Sequence, residues 1–335
     1  MRRAALLALF GALSLGVATP AVAASWAEPQ IRVVVEHGVM GPSVSAFRPK
    51  SPLTRGALAE AMSAVTGVPR SAAAPDRVVP MSKLQRALVR AAGLLGAARH
   101  LNAEAAAARL EPPRRFGTET VARLLGLRYN HPAANDGLEL RPGDKATRAE
   151  AAYSFAKLLQ LSDWSIPYAR SRAETFDLPR LTAWQRRILR RAISFVGFPY
   201  VWGGTSERRQ TLFGVTSRGG FDCSGFAWRI YRLESYPGAP QLRDTLRGRT
   251  ASAMAGEMPK SARVRRARLR PGDLVFFSER GREARPADVS HMGIYAGGGR
   301  FVHSSSQGTT MTTLSGWYED RFAWGRRPLR EAGLA

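Results

Sequence analysis

Cys223 is the only cysteine in a chain of 335 residues, so no internal disulfide can hold any part of it together. Each folded region must rest on a buried apolar core, and the length leaves room for two ordinary domains. Around the cysteine the chain reads Gly219-Gly220-Phe221-Asp222-Cys223-Ser224-Gly225-Phe226-Ala227-Trp228-Arg229-Ile230-Tyr231. Glycines break the chain, and apolar residues at 226, 227, 230 and 233 then mark one face of a helix. Cys223 is thereby placed at or near a helix N-terminus, where the positive end of the helix dipole favours thiolate over thiol. The free N–H groups there can also hold an oxyanion. A buried, inert cysteine is the alternative.

A nucleophile needs a base, and the base needs orienting. Near the C-terminus the chain reads Asp288-Val289-Ser290-His291-Met292-Gly293-Ile294-Tyr295-Ala296, three glycines, then Arg300-Phe301-Val302-His303-Ser304. Alternation on both sides of a glycine turn predicts a β-hairpin. A loop of three glycines sets Gly293 opposite His303, making His291 and His303 diagonal neighbours on one face, roughly 7–8 Å apart at the backbone. A two-residue loop would reverse the parity and part them. Zinc is the chemical rival, but one cysteine and two histidines at these separations make no recognised zinc motif. No metal or other cofactor is implied.

Phe221-Asp222-Cys223-Ser224-Gly225-Phe226, Ser290-His291-Met292-Gly293-Ile294-Tyr295 and Val302-His303-Ser304 closely resemble the NlpC family of papain-like cell-wall peptidases. Pro199-Tyr200-Val201-Trp202-Gly203-Gly204 and the run from Leu269 to Phe277 match two further blocks of that family, in the expected order. The resemblance covers roughly residues 183 to 329. It implies an α+β fold, with the nucleophile helix packed on an antiparallel sheet. It implies cleavage of peptidoglycan stem peptides, commonly between D-glutamate and the following diamino acid. Carried over by motif, Cys223 attacks, His291 is base then acid, and His303 orients His291. Tyr200 lines the cleft, and Asp222 and Ser224 hold the free amine of a stem peptide, with a plain helix cap as the other reading of Asp222. Two stretches depart from the pattern: Thr205 to Gly220 is longer than usual, and Met254 stands where relatives often carry glutamine. Amidase or acyl-transfer chemistry through the same thioester, or a wall scaffold with an idle site, remain open. Pro271-Gly272-Asp273 reads as a structural turn that Asp273 can close.

Ahead of this region, Phe47-Arg48-Pro49-Lys50-Ser51-Pro52-Leu53-Thr54-Arg55 recurs, 93 residues on, as Leu140-Arg141-Pro142-Gly143-Asp144-Lys145-Ala146-Thr147-Arg148. Thr54 and Thr147 sit where helix N-caps belong, before apolar segments of helical spacing. Further helices are expected at Ile31 to Gly38, Met81 to Leu95, Asn102 to Leu110 and Val121 to Gly126, the middle pair as a decayed repeat. Residues 26 to 161 resemble S-layer homology repeats, which implies attachment to an acidic wall polymer. A helical spacer without a ligand is the alternative. The expected organisation is an all-α repeat region over 25–161, an aperiodic connection over 162–180, and the peptidase domain over 181–335, with a helix from Thr182 to about Val196.

Met1-Arg2-Arg3, an apolar run from Ala4 to Ala18, and Pro20-Ala21-Val22-Ala23-Ala24 describe a secretory signal peptide over residues 1–24, with a retained anchor as the alternative. No later apolar run approaches the length of a membrane span. The mature protein is therefore expected to be secreted and associated with the wall. A hydrophobic fraction of 44% with 23% charged residues excludes a disordered chain. The formal net charge is +24, and all but five of the 50 basic residues are arginine. Such a field favours an anionic partner. The arginines are scattered and form no stripe for nucleic acid, so export points to an anionic wall polymer, set against an arginine-rich codon preference with no binding role.

Overall fold

The computed structural model describes residues 25–335, so the expected signal peptide lies outside the described residues. Residues 25–161 are helical, as expected: α1 (Glu28–Glu36), α2 (Arg55–Thr66), α3 (Met81–Ala91), α4 (Leu95–Ala107), α5 (Phe116–Leu124) and α6 (Arg148–Leu159). Thr54 caps α2 by accepting the Ala57 N–H at 3.3 Å, and Thr147 caps α6 by accepting the Glu150 N–H at 3.2 Å. Helix α3 turns Leu84, Leu88 and Val89 inward and leaves Lys83, Arg86 and Arg90 in solvent, an amphipathic split that fixes its orientation.

The two recurring motifs meet a third segment. Leu53 N–H donates to Ala146 O at 2.8 Å, Ala146 N–H to Val79 O at 2.9 Å, and Val79 N–H to Leu53 O at 2.9 Å. Three backbone hydrogen bonds thus close a ring from which α2, α3 and α6 set out. Pro80, which cannot cap with a side chain, stands before α3 where threonine stands before the other two.

Residues 162–180, expected as an aperiodic connection, contain α7 (Ser165–Glu174), which packs on α4 and α5. Its buried contacts are the small side chains of Ala169 and Ala173, followed by Phe176. A face made of two alanines leaves little periodic signal. Helix α8 (Ala183–Ser194) then begins with a reciprocal cap between Thr182 and Gln185.

The C-terminal half is built on a five-stranded antiparallel sheet, as expected. Its strands are β5 (Leu274–Phe277), β6 (His291–Gly297), β7 (Arg300–Ser305), β8 (Gly308–Thr313) and β9 (Phe322–Arg326), in the order β8-β7-β6-β5-β9. Helix α9 (Cys223–Tyr231) packs on β6 and β7 and buries Phe226, Ala227, Ile230 and Tyr231, with about 1.5–3 kcal/mol gained per large side chain. The long stretch before it folds into two ribbons, β1 (Thr205–Ser206) with β4 (Gly220–Phe221) and β2 (Gln210–Leu212) with β3 (Val215–Ser217). Asp273 closes its turn by accepting the Arg270 N–H at 2.8 Å, and it also pairs with Arg327 at 2.9 Å.

In the β6–β7 hairpin, Ile294 faces Val302 and Tyr295 faces Phe301, the expected register. The loop that produces it differs from the expected one. Gly297 already pairs with Arg300, so the turn is Gly298–Gly299, and an irregularity at Ala296 restores the parity that a two-residue turn would reverse. Gly293 lies against the second histidine: a Cβ there would come within 2.8 Å of Val302 O and 3.0 Å of His303 Cβ.

One buried apolar cluster runs from Ala27 through α3, α5 and α9 to Leu329, so the two halves share a core. Arg123, fully buried, reaches across and donates to Gly197 O at 2.8 Å and to Gln307 O. Arg115 reaches Val196 O at 3.2 Å.

Candidate active site

Asp222 caps α9 through its side chain, which places Cys223 at the first helical residue. The Cys223 N–H there has no intrahelical acceptor, so it is available to an oxyanion formed at the sulfur. The sulfur lies within reach of the Ser224 and Met292 backbone N–H groups. Met292 follows His291 on β6, so the hairpin brings the strand that carries His291 against the Cys223 sulfur.

The two histidines meet. His291 Nε2 lies 2.8 Å from His303 Nδ1, with ring centroids 5.0 Å apart and planes at 78°. With Nε2 taken, Nδ1 is the His291 nitrogen free to accept a proton. That role requires Nε2–H to donate to His303 Nδ1, which fixes the tautomers of both rings. Phe277 supports His291 at 5.8 Å, and Tyr318 stands edge-on to His303 at 5.3 Å. Tyr318 was not legible as a site residue. It is held by packing, and burial raises its phenol to about 12.

The electrostatics differ from the expected thiolate. Burial first, and then the Asp222 carboxylate, push the Cys223 thiol up to about 11, against the pull of two N–H groups and Arg249. Burial lowers His291 to about 4 and drives His303 well below its ordinary value, with His291 adding to the fall. Burial thus works against charge on the thiol and on both imidazoles. A helix N-terminus favours the anion, but desolvation outweighs it here.

Tyr200 faces the nucleophile. Burial, then the charges of Cys223 and Asp222, raise its phenol above the ordinary value. Its backbone is held by Asn130, which accepts the Tyr200 N–H at 2.8 Å and donates to Tyr200 O at 3.3 Å.

Asp222 and Ser224 are already engaged by other groups of the protein. Asp222 Oδ1 accepts from Gly225 N–H, Ser224 Oγ and Arg249 Nη1, and Oδ2 accepts Arg249 Nη2 at 3.0 Å. Arg249 Nη1 also donates to Ser224 Oγ at 2.8 Å. The carboxylate thus has its cation inside the protein, and of the two readings of Asp222 the geometry supports the helix cap.

Beside His291 and Tyr200 opens a cleft of about 810 Å³. One wall is Asn130, His131, Pro132 and Ala133 from the helical half; the other carries Trp202, Trp317 and Tyr318. The helical wall is anchored at several points. His131 N–H donates to Glu139 Oε1 at 2.5 Å, and Asp136 Oδ2 accepts the Trp202 N–H at 3.0 Å. His131 Nε2 lies 3.2 Å from Glu150 Oε1, and its ring stands edge-on to Trp26. Burial raises Glu139 to about 8. Among the described residues no group of three side chains is arranged to hold a metal ion, and no helix is long and apolar enough to cross a membrane.

Residues 197–327 match the NlpC/P60 family. Over 134 residues the chain is 34% identical to the murein DD-endopeptidase MepH of Escherichia coli (strain K12), covering 39% of this chain and 41% of that protein. Over 130 residues it is 33% identical to the gamma-D-glutamyl-L-lysine dipeptidyl-peptidase of Bacillus subtilis (strain 168), covering 38% and 34%. The chain thus spans less than half the length of either relative. A solved NlpC/P60 family protein from Bacillus cereus ATCC 10987 aligns with a TM-score of 0.33 at 26% identity, over 46% of this chain and 43% of that one.

Proposed function

We propose, on the premise that residues 197–327 are an NlpC/P60 domain, that this chain is a secreted, wall-associated cysteine peptidase acting on peptidoglycan stem peptides. The observation that carries the reading is the His291–His303 pair, joined at 2.8 Å, beside a cysteine that opens a helix. Cys223 passes its proton to His291 Nδ1 as sulfur attacks the carbonyl carbon, so charge develops only when substrate is in place. The Cys223 N–H steadies the oxyanion. His291 returns the proton to the departing amine, and water then releases the acyl group from sulfur. His303 takes no proton; it keeps His291 in the working tautomer.

The bond is the one between D-glutamate and the following diamino acid, a choice supported by the name of the Bacillus subtilis relative. Residues 25–161 act as a wall anchor related to S-layer homology repeats and engage anionic wall polymer. The support is the ring of Leu53, Val79 and Ala146, which gathers the recurring motifs, in a chain of net charge +24. Residues 1–24 direct export.

Digestion of purified peptidoglycan, with released fragments identified by mass spectrometry, tests the peptidase. Wild type should release fragments ending at D-glutamate, and Cys223→Ala should release none while unfolding with the same cooperativity. Equal release by both, or by neither, ends the reading.

A further inference from the structure

We infer that Asn130, a residue of the helical half, positions the Tyr200 hydroxyl against Cys223, so that the helical half completes the cleft as well as walling it. The inference rests on the peptidase reading and adds a positioning residue to it. It stands on where the backbone hydrogen bonds of one short segment go.

Residues 199–201 run alongside β4. Val201 N–H donates to Phe221 O and Phe221 N–H donates to Pro199 O, each at 3.2 Å, in a parallel bridge centred on Tyr200. In such backbone the polar groups of successive residues point to opposite edges. The N–H and C=O of Tyr200 therefore face away from β4, toward the edge where a further strand would take them. Asn130 stands in the place of that strand. Its Oδ1 accepts the Tyr200 N–H at 2.8 Å, and its Nδ2 donates to Tyr200 O at 3.3 Å. Nδ2 also donates to His131 O at 3.3 Å. The amide nitrogen thus meets two carbonyls and the amide oxygen meets one N–H, which fixes its orientation; a carboxylate there would only accept.

What this grip controls is the phenol. Tyr200 is held between Asn130 and Phe221, and Phe221 leads through Asp222 into the nucleophile. A shift at Asn130 therefore moves Tyr200 relative to Cys223. Burial, and then the charges of Cys223 and Asp222, keep the phenol protonated, so it stands beside the sulfur as a neutral O–H donor. The same segment is gripped along its length by the helical half. Arg115 donates to Ser194 O and Val196 O, Arg123 to Gly197 O and Phe198 O, and Asp136 accepts the Trp202 N–H. Those three side chains are charged and hold the flanks. Asn130 is neutral and holds the residue that faces Cys223.

Kinetics of the full chain on peptidoglycan stem peptides test the inference. Asn130→Ala should lower kcat about tenfold or more and change KM less, because a misplaced group costs rate. Tyr200→Phe, which removes only the hydroxyl, should also be slow, and the double variant should be no slower than Tyr200→Phe alone. Losses that multiply would show that Asn130 acts apart from Tyr200 and overturn the inference, as would full activity in either single variant. Asn130→Asp gives a second measurement should the alanine variant fold poorly. It keeps an acceptor for the Tyr200 N–H but sets a carboxylate oxygen against Tyr200 O, and acid restores a donor there when the carboxyl takes up a proton. Its kcat/KM relative to wild type should therefore rise as pH falls. Cys223, Asp222, Asp136 and Arg249 act on the Tyr200 phenol in both proteins, and His131 adjoins residue 130 in both, so their titrations cancel in that ratio. A ratio flat with pH reduces Asn130 to packing and overturns the inference while the peptidase stands. If wild type cuts no more than Cys223→Ala, the peptidase reading falls and this inference with it.

Discussion

The two halves of the molecule meet at one cleft and hold it by opposite means. In the C-terminal half burial works against charge at the candidate site: a thiol raised to about 11, an imidazole lowered to about 4, and aromatic rings packed around them. The helical half grips with buried charge. The Arg123 guanidinium is lowered to about 9 mainly by burial, yet it stays because three carbonyl oxygens across the junction accept from it. Neutral groups suit a site that must separate charge only with substrate bound, whereas fixed charge suits a junction that must not slip. Damage to the first half should appear as lost rate, and damage to the buried charges of the second as lost stability.

The sharpest break of that contrast lies at the histidine pair. His303→Leu removes the acceptor for His291 Nε2–H, and kcat should fall about 10²–10³-fold, as for a mis-oriented base. His303→Asn keeps an acceptor oxygen and should recover much of the loss; equal loss in both variants would reduce His303 to packing. The same pair sets the pH profile. The competent form has neutral His291 and thiol Cys223, so kcat/KM should stay level between limbs near 4 and 11. An acid limb near 6.5 would mean that a charged pair rests in the site. Folding is linked to the same group. Because the folded His291 value lies below the ordinary 6.5, its neutral form is favoured by folding, and its contribution is present above 6.5 and declines as pH falls through 4. Unfolding free energies measured across that window check the sign.

Next comes the junction. Arg123→Met leaves the Gly197 and Gln307 carbonyls without this donor, while Phe198 O keeps the Thr309 N–H, and it leaves the Glu119 carboxylate, 3.9 Å away, without its cation. It should cost about 3 kcal/mol in denaturant unfolding, in one transition for both halves. Two separated transitions would show that the shared core does not couple them. The smallest effect is expected at the caps, where Thr54→Ala or Thr147→Ala should cost about 1 kcal/mol each and leave kcat as it was.

The C-terminal half was more legible than the helical one, and the reason is local. Cys223, its helix and the hairpin parity depend on spacing within a few residues, and the paired histidines followed from it. Even the misjudged loop was harmless, because the irregularity at Ala296 offset the shorter turn. What sequence did not reveal lies far along the chain. Arg249 meets Asp222 from 27 residues away, and Asn130 holds Tyr200 from 70. The thiol's direction of shift was misread because a helix dipole is visible in a motif, whereas desolvation depends on what covers the sulfur. Helix α7 was missed because its buried face is two alanines.

The ring of Leu53, Val79 and Ala146 has a consequence for the order of assembly. The cleft wall at Asn130–Ala133 lies on the span between the second and third members of that ring, so it belongs to a loop that closes only when Ala146 arrives. Closing such a loop costs chain entropy before any contact repays it. Partial proteolysis or hydrogen exchange during refolding should therefore show the Leu53–Val79–Ala146 ring protected no later than α9.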